Sequence, residues 1–262
     1  MKRLLKADFY CLFKSKLTIV LLILAIALPF FTSLIYLGIN TLLEITREEQ
    51  AQLLTFTSRT VIGGTFNLSG DISLIMPIFS GILIGTDLTS GTLRNKLIIG
   101  HSKAKIYFSH LISIAALHLA IGAIYAALTA GFAMAFFQYG KPIDGAEIQN
   151  LVFFYIVGMV GFVFIATIVS AFALIFKTPA PTILITVLTC VVLGLVSSLV
   201  NVVDYSSFKY LVYFIPSFAN GQFATANGIV IPIFVEGLVS YVFFGGAFVL
   251  TGLLLFTKKD IK

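Results

Sequence analysis

The sequence has no tryptophan, two cysteines and little charge: only 11% of its 262 residues are Asp, Glu, Lys or Arg, against roughly 25% in an ordinary soluble domain. Each shortage excludes something. Cys11 and Cys190 are too few for a disulfide framework or a cysteine-based zinc site. The scarcity of charge, set against 59% hydrophobic residues and a mean hydropathy of +1.05, excludes a soluble globular domain, a disordered chain and a coiled coil. Without tryptophan, an aromatic belt at a membrane surface falls to the 10 Tyr and 26 Phe. What remains is an all-α integral membrane protein.

Catalytic motifs are missing as well. No GxxxxGK[ST] loop is present: the one Gly-Lys pair, Gly140-Lys141, has Ala135 where the first glycine belongs. There is no HExxH and no GxSxG, and the three histidines, His101, His110 and His118, form no metal set with carboxylates in the sequence. Glu48-Glu49 falls in a loop, with no arginine four residues after Glu49. The chain is not expected to be an enzyme.

Present instead are long apolar runs. A membrane-crossing helix needs about 20 such residues, and six stretches qualify, at about 17–39, 67–86, 106–137, 151–176, 182–203 and 229–256. The first run is too long for a cleavable signal peptide and no small-residue cleavage site follows it. The runs are apolar on all sides, unlike the alternating strands of a barrel.

Of the 17 Lys and Arg, all but Arg47, Arg59, Lys141 and Lys209 fall on one side if the N-terminus is placed inside. By the positive-inside rule that side is cytoplasmic. Both termini are then cytoplasmic, and the +6 net charge is a topology signal rather than a nucleic-acid footprint.

Between the spans, residues 1–16 place Leu4, Leu5, Phe9, Leu12 and Phe13 at near-helical spacing among lysines. This predicts a helix in the cytoplasmic interface, touching lipid. The loop 40–66 is the longest polar insertion; TREEQAQLL reads as a short helix and Gly63-Gly64 as a turn. The segment 87–105, with Leu93, Leu97 and Ile98 at helical spacing beside Arg94, Lys96, Lys103 and Lys105, reads either as a short amphipathic helix capped by Asp87, Thr89 or Ser90 or as a solvated connector. Residues 205–228, aromatic and broken by Pro216, Gly221 and Gly228, predict a partly re-entrant hairpin before the last span, with a loop resting on headgroups as the alternative.

Ionisable groups inside spans are costly and draw functional attention. Glu236 stands in the sixth span and His118 in the third, while Asp71 falls near the end of the second. His118 reads chiefly as a satisfied polar group. Gly81 with Gly85, and Gly194 with Ser198, are small-xxx-small pairs that mark close helix contacts within the chain or between copies.

The whole chain resembles the membrane subunit of type-2 ABC exporters. The resemblance is carried by the loop after the second span: Asp87, Gly91-Thr92, Leu97-Ile98, Ser102-Lys103 and Ile106 follow that family's order of acid, Gly-Thr, hydrophobic pair, Ser-basic pair and return into the membrane. Asp87 stands where Glu is more usual, Gly100 where proline often occurs, and His110 near a common lysine position.

The resemblance implies that Asp87, Ser90, Gly91, Thr92, Leu93, Arg94, Lys96 and Leu97 couple to a separate ATPase. It implies two ATPase subunits, a second permease subunit as homo- or heterodimer, and residence in the bacterial cytoplasmic membrane. ATP and Mg²⁺ are held by the partner, and this chain binds no cofactor. Spans two and five usually line the path, so Phe79 and Thr189 join His118 and Glu236 as path residues. The implied function is export of an amphipathic or apolar peptide or drug-like substrate by alternating access, with uncoupling expected when Leu93 and Leu97 become Asp. The alternatives are an ion-coupled secondary transporter using Glu236, Asp71 or His118, and a non-transporting immunity or scaffold protein.

Overall fold

The computed structural model describes residues 1–46, 56–140, 142–200, 215–225 and 231–258. Its described residues form helices and connecting turns, with no strand among them. In chain order the helices are α1 (Lys2–Lys14), α2 (Lys16–Thr46), α3 (Ser58–Gly63), α4 (Asp71–Thr89), α5 (Thr92–Ile98), α6 (Lys103–Phe136), α7 (Gly145–Phe176), α8 (Pro179–Val200), α9 (Phe218–Thr225) and α10 (Ile231–Lys258). Six of them, α2, α4, α6, α7, α8 and α10, are long and apolar enough to cross a membrane.

Local chemistry sets the boundaries. Ser15, extended at φ −71° and ψ 129°, separates α1 from α2, and its hydroxyl accepts from the Leu17 amide at 3.2 Å. Pro29 stays inside α2, as bilayer helices allow. An Asx turn at Asn67, whose Oδ1 accepts from the Ser69 amide at 3.1 Å, delays the second span to Asp71, so residues 67–70 are turn rather than membrane helix. Asp87, expected just past that span, lies inside the last turns of α4. The third span runs 34 residues, about 51 Å at 1.5 Å per residue, and so overshoots a hydrocarbon core of roughly 30 Å. The fourth begins earlier than its apolar run, at Gly145, because Asp144 caps it by accepting from the Glu147 amide at 2.8 Å. Lys177, in the left-handed region at φ 60°, ends it, and Pro179 opens α8 at a first-turn position where its missing N–H costs nothing.

α7 is the axle of the bundle, packed against α4, α6, α8 and α10. In lipid there is no hydrophobic force between helices, so close van der Waals fit takes its place. The small-residue pairs serve that fit inside the chain. A Cβ on Gly81 would lie 2.8 Å from Ile183, one on Gly85 2.7 Å from Pro179, and one on Gly194 2.6 Å from Ser69. Phe66 fills the gap among α7 rings, 5.0 Å from Phe154 and 5.3 Å from Phe162.

The long polar loop is partly folded inward. Asn40 grips the Phe56 backbone, donating to its carbonyl and accepting from its amide, both at 2.8 Å. A capping box between Thr57 and Thr60 then starts α3, whose Ser58, Arg59, Val61, Ile62 and Gly63 are buried. Gly64 caps α3, matching the turn expected at Gly63-Gly64. Most of the TREEQAQLL helix, and residues 205–214 and 226–228 of the expected hairpin, lie outside the described residues. The described part of that hairpin contains α9, with Phe218, Ala219, Asn220 and Phe223 buried.

Candidate functional site

The segment 87–105 forms the most distinctive surface of the described bundle. Gly91 precedes α5 in the left-handed conformation, at φ 77°, which only glycine adopts without strain. None of the expected caps engages α5, since Gly91 occupies the N-cap position. Ser90 and Thr92 instead join their hydroxyls at 2.9 Å. At the other end the Gly100 amide donates to the Leu97 carbonyl at 2.9 Å and the His101 amide to that of Lys96 at 3.2 Å. With Gly100 at φ 94°, this is a Schellman stop. Both ends of the short helix are therefore written into glycines.

α5 is anchored by charge. Lys96 Nζ donates to Asp8 Oδ1 at 2.7 Å and to Asp87 Oδ2 at 3.3 Å. Its ammonium has no lone pair, so His110 Nε2, 3.4 Å away, accepts from it. Ser109 donates to the other oxygen of Asp8 at 2.5 Å. One lysine thus joins α1, α4 and α6, and the cluster is well enclosed: the Lys96 and Asp8 side chains are 13% and 6% exposed. Donor atoms of Asp8, Asp87 and His110 lie within 4.8 Å of one another, a spacing that suits a metal, but the Lys96 ammonium already sits on both carboxylates.

Hydrophobic packing adds a second anchor. Leu97 is half-buried against the cluster of Ile106, Tyr107, Leu174 and Phe256. Lys103 extends the link to the end of α10, donating to the Thr257 carbonyl at 2.9 Å. What α5 leaves outside is Arg94, Asn95 and the pair Ile98 and Ile99, 73% and 75% exposed. The sequence paired Leu97 with Ile98 as one face. The structure divides them, with Leu97 inward and Ile98 outward. The side chain of Leu93 is not among those described.

Each of the four path residues has its own surroundings. His118 is fully buried, its Nδ1 donating to the Phe162 carbonyl at 3.2 Å and its Nε2 3.2 Å from the Ser80 hydroxyl. Phe79 is half-buried against the core of the bundle. Thr189 turns its hydroxyl back onto the Ile185 carbonyl at 2.7 Å. Glu236 falls six residues into α10, with Oε2 buried and without a hydrogen-bond partner. Asp71 opens α4, and α4 and α10 share no extended packed face.

Arg59, counted among the outer charges, proves to be structural. Arg59 Nε donates to Glu147 Oε1 at 2.8 Å with both side chains buried. Tyr139 donates to the same oxygen at 2.6 Å, and the guanidinium lies 4.9 Å from the Phe223 ring centre. Burial, and then the Glu147 carboxylate, push the Tyr139 phenol above its ordinary range.

The sequence signals for these contacts are faint. Asp8 is the lone acid in the basic run Lys2–Lys14, and Glu147 sits just after a helix cap. No curated protein matches the chain. Residues 18–262 match a family described as protein of unknown function, DUF2705, and over that length the chain belongs to it.

Proposed function

We propose that this chain is the permease subunit of an ATP-driven exporter in a bacterial cytoplasmic membrane, with α5 as the helix that docks on a separate ATPase. One observation carries the reading. α5 exposes adjacent isoleucines, Ile98 and Ile99, beside Arg94, while its opposite side is pinned by Lys96 and Leu97. A solvated connector has no use for a braced helix with an apolar tip. Such a tip rimmed by charge suits a protein partner.

In this reading α1 lies along the cytoplasmic interface, both termini are cytoplasmic, and the segment containing α9 is the re-entrant element before the last span. Two permease subunits, alike or different, assemble with two ATPases, which hold ATP and Mg²⁺. Closure of the ATPases pushes on α5. Asp87 and Lys96 pass that displacement to α4 and α1, and the spans rock to expose an amphipathic or apolar substrate to the outside.

The test is affinity capture of the tagged chain from native membranes in mild detergent, with mass spectrometry of its soluble partners. A stoichiometric ATPase carrying a phosphate loop supports the proposal. Its absence after cross-linking sinks it.

A further inference from the structure

A cavity of about 200 Å³ lies at the end of the bundle opposite Lys96, where α2, α4 and α6 meet the turn after α3. Its wall includes Asp71, Tyr36, Tyr125, Thr32, Thr65 and Thr129. Among the described lining residues Asp71 is the only ionisable group other than the two tyrosines, and no Lys or Arg joins it. The Tyr36 ring is held in place by stacking on Phe56, with ring centres 4.3 Å apart. Thr32 and Thr129 spend their hydroxyl protons on the Leu28 and Tyr125 carbonyls, which leaves their oxygens free to accept. The Thr65 hydroxyl, on a residue 3% exposed, has no hydrogen-bond partner.

We infer that this cavity binds a small alkylammonium group, in which Asp71 supplies the counter-charge, Tyr36 and Tyr125 the aromatic wall, and Thr65 an acceptor for an N–H. The set is selective in its chemistry. A carboxylate without a resident cation excludes anions. Aromatic rings favour a soft organic cation over a strongly hydrated metal ion, because the ring face attracts cations whose hydration is cheap to remove. The orphan hydroxyl is satisfied when a protonated amine enters, and a buried polar group left unmade is costly. The ammonium can belong to a free amine or to a lipid headgroup, since the chemistry is shared. The inference concerns the isolated chain and holds whether or not an ATPase docks on α5.

The full chain, purified in a non-ionic detergent, is titrated calorimetrically with tetramethylammonium and, separately, methylammonium chloride, with sodium chloride as the ionic-strength control. Saturable binding of both ions is expected, weakened about tenfold in Asp71→Asn. Tyr125→Leu weakens tetramethylammonium more than methylammonium, and Thr65→Val does the reverse. If Tyr125→Leu does not fold, Tyr36→Leu takes its place.

A second arm repeats the titration in nanodiscs. Loss of binding in phosphatidylethanolamine discs, with retention in phosphatidylglycerol discs, assigns the site to a lipid headgroup. Retention in both assigns it to free amines. No saturable heat in detergent, or an Asp71→Asn variant that melts like the wild type and binds unchanged, overturns the inference.

Discussion

Lys96 and Asp8, 88 residues apart in sequence, meet at 2.7 Å and fix the first helix of the chain to the short helix between the second and third spans. α1 is thereby part of the bundle, packed on α6 more extensively than on its sequence neighbour α2.

Lys96→Met leaves Asp8 and Asp87 facing each other with no cation between them. Removing one partner of a buried ion pair costs about 3–5 kcal/mol, and the loss here is expected near the lower end because Asp87 is 31% exposed. Thermal unfolding in detergent measures it. The double variant Lys96→Met/Asp8→Asn should recover part of the loss, and a double variant no more stable than the single would refute the pairing.

Replacing Ile98 and Ile99 by Asp changes only exposed positions. Stability should stay within about 0.5 kcal/mol of wild type, while capture of an ATPase from membranes is lost. Leu97→Asp puts a charge against Ile106 and Phe256 and should instead lower the melting temperature. On the docking reading, uncoupling is expected of the isoleucines as well, and equal ATPase capture by wild type and the Ile98/Ile99 variant counts against the docking role.

Gly85→Val drives a side chain into the Pro179 backbone, which a Cβ already approaches to 2.7 Å. Overpacking costs about 1–3 kcal/mol, and Pro179 at the start of α8 has little freedom to retreat. Gly246→Val, with nothing within 4 Å of its Cβ, is the control. Comparable melting temperatures for the two variants would show that α4 and α8 do not pack as described.

Tyr139 gives a pH signature. Its folded-state pKa is raised above the ordinary 10.0, so the folded chain keeps a proton that the unfolded chain releases above about pH 10. The stabilisation is complete below pH 10 and drains away as pH climbs toward the folded value. Tyr139→Phe removes this term. Melting temperatures of wild type should fall more steeply than those of Tyr139→Phe above pH 10, and parallel curves would contradict the buried contact with Glu147.

The spans were legible because a run of about 20 apolar residues has few alternatives in a chain with so little charge. Their ends were less so. α7 starts at Gly145 because Asp144 caps it, and Glu147 in its otherwise exposed first turn is buried because it meets Arg59, a contact 88 residues long that periodicity cannot reveal. The helix at 92–98 was one of two readings of its spacing. Its start was misassigned to side-chain caps because a left-handed glycine leaves no polar signature. Leu97 and Ile98 looked equivalent, since neighbours on a helix differ by 100° and only tertiary packing decides which one is covered. The site's centre, Lys96, was named for its charge and its place in the coupling segment, and its partner Asp8 was hidden as one acid in a basic segment.

The two glycines that bound α5 carry a further implication. Its start and stop are encoded locally, and its anchoring side chains, Lys96 and Leu97, are a different set from those it turns outward, Arg94, Asn95, Ile98 and Ile99. The outward set can diverge freely among related chains while the bundle beneath stays unchanged. Variation concentrated at those four positions, with 91, 96, 97 and 100 held constant, would be the mark of a module whose contact surface is rewritten independently of its mounting.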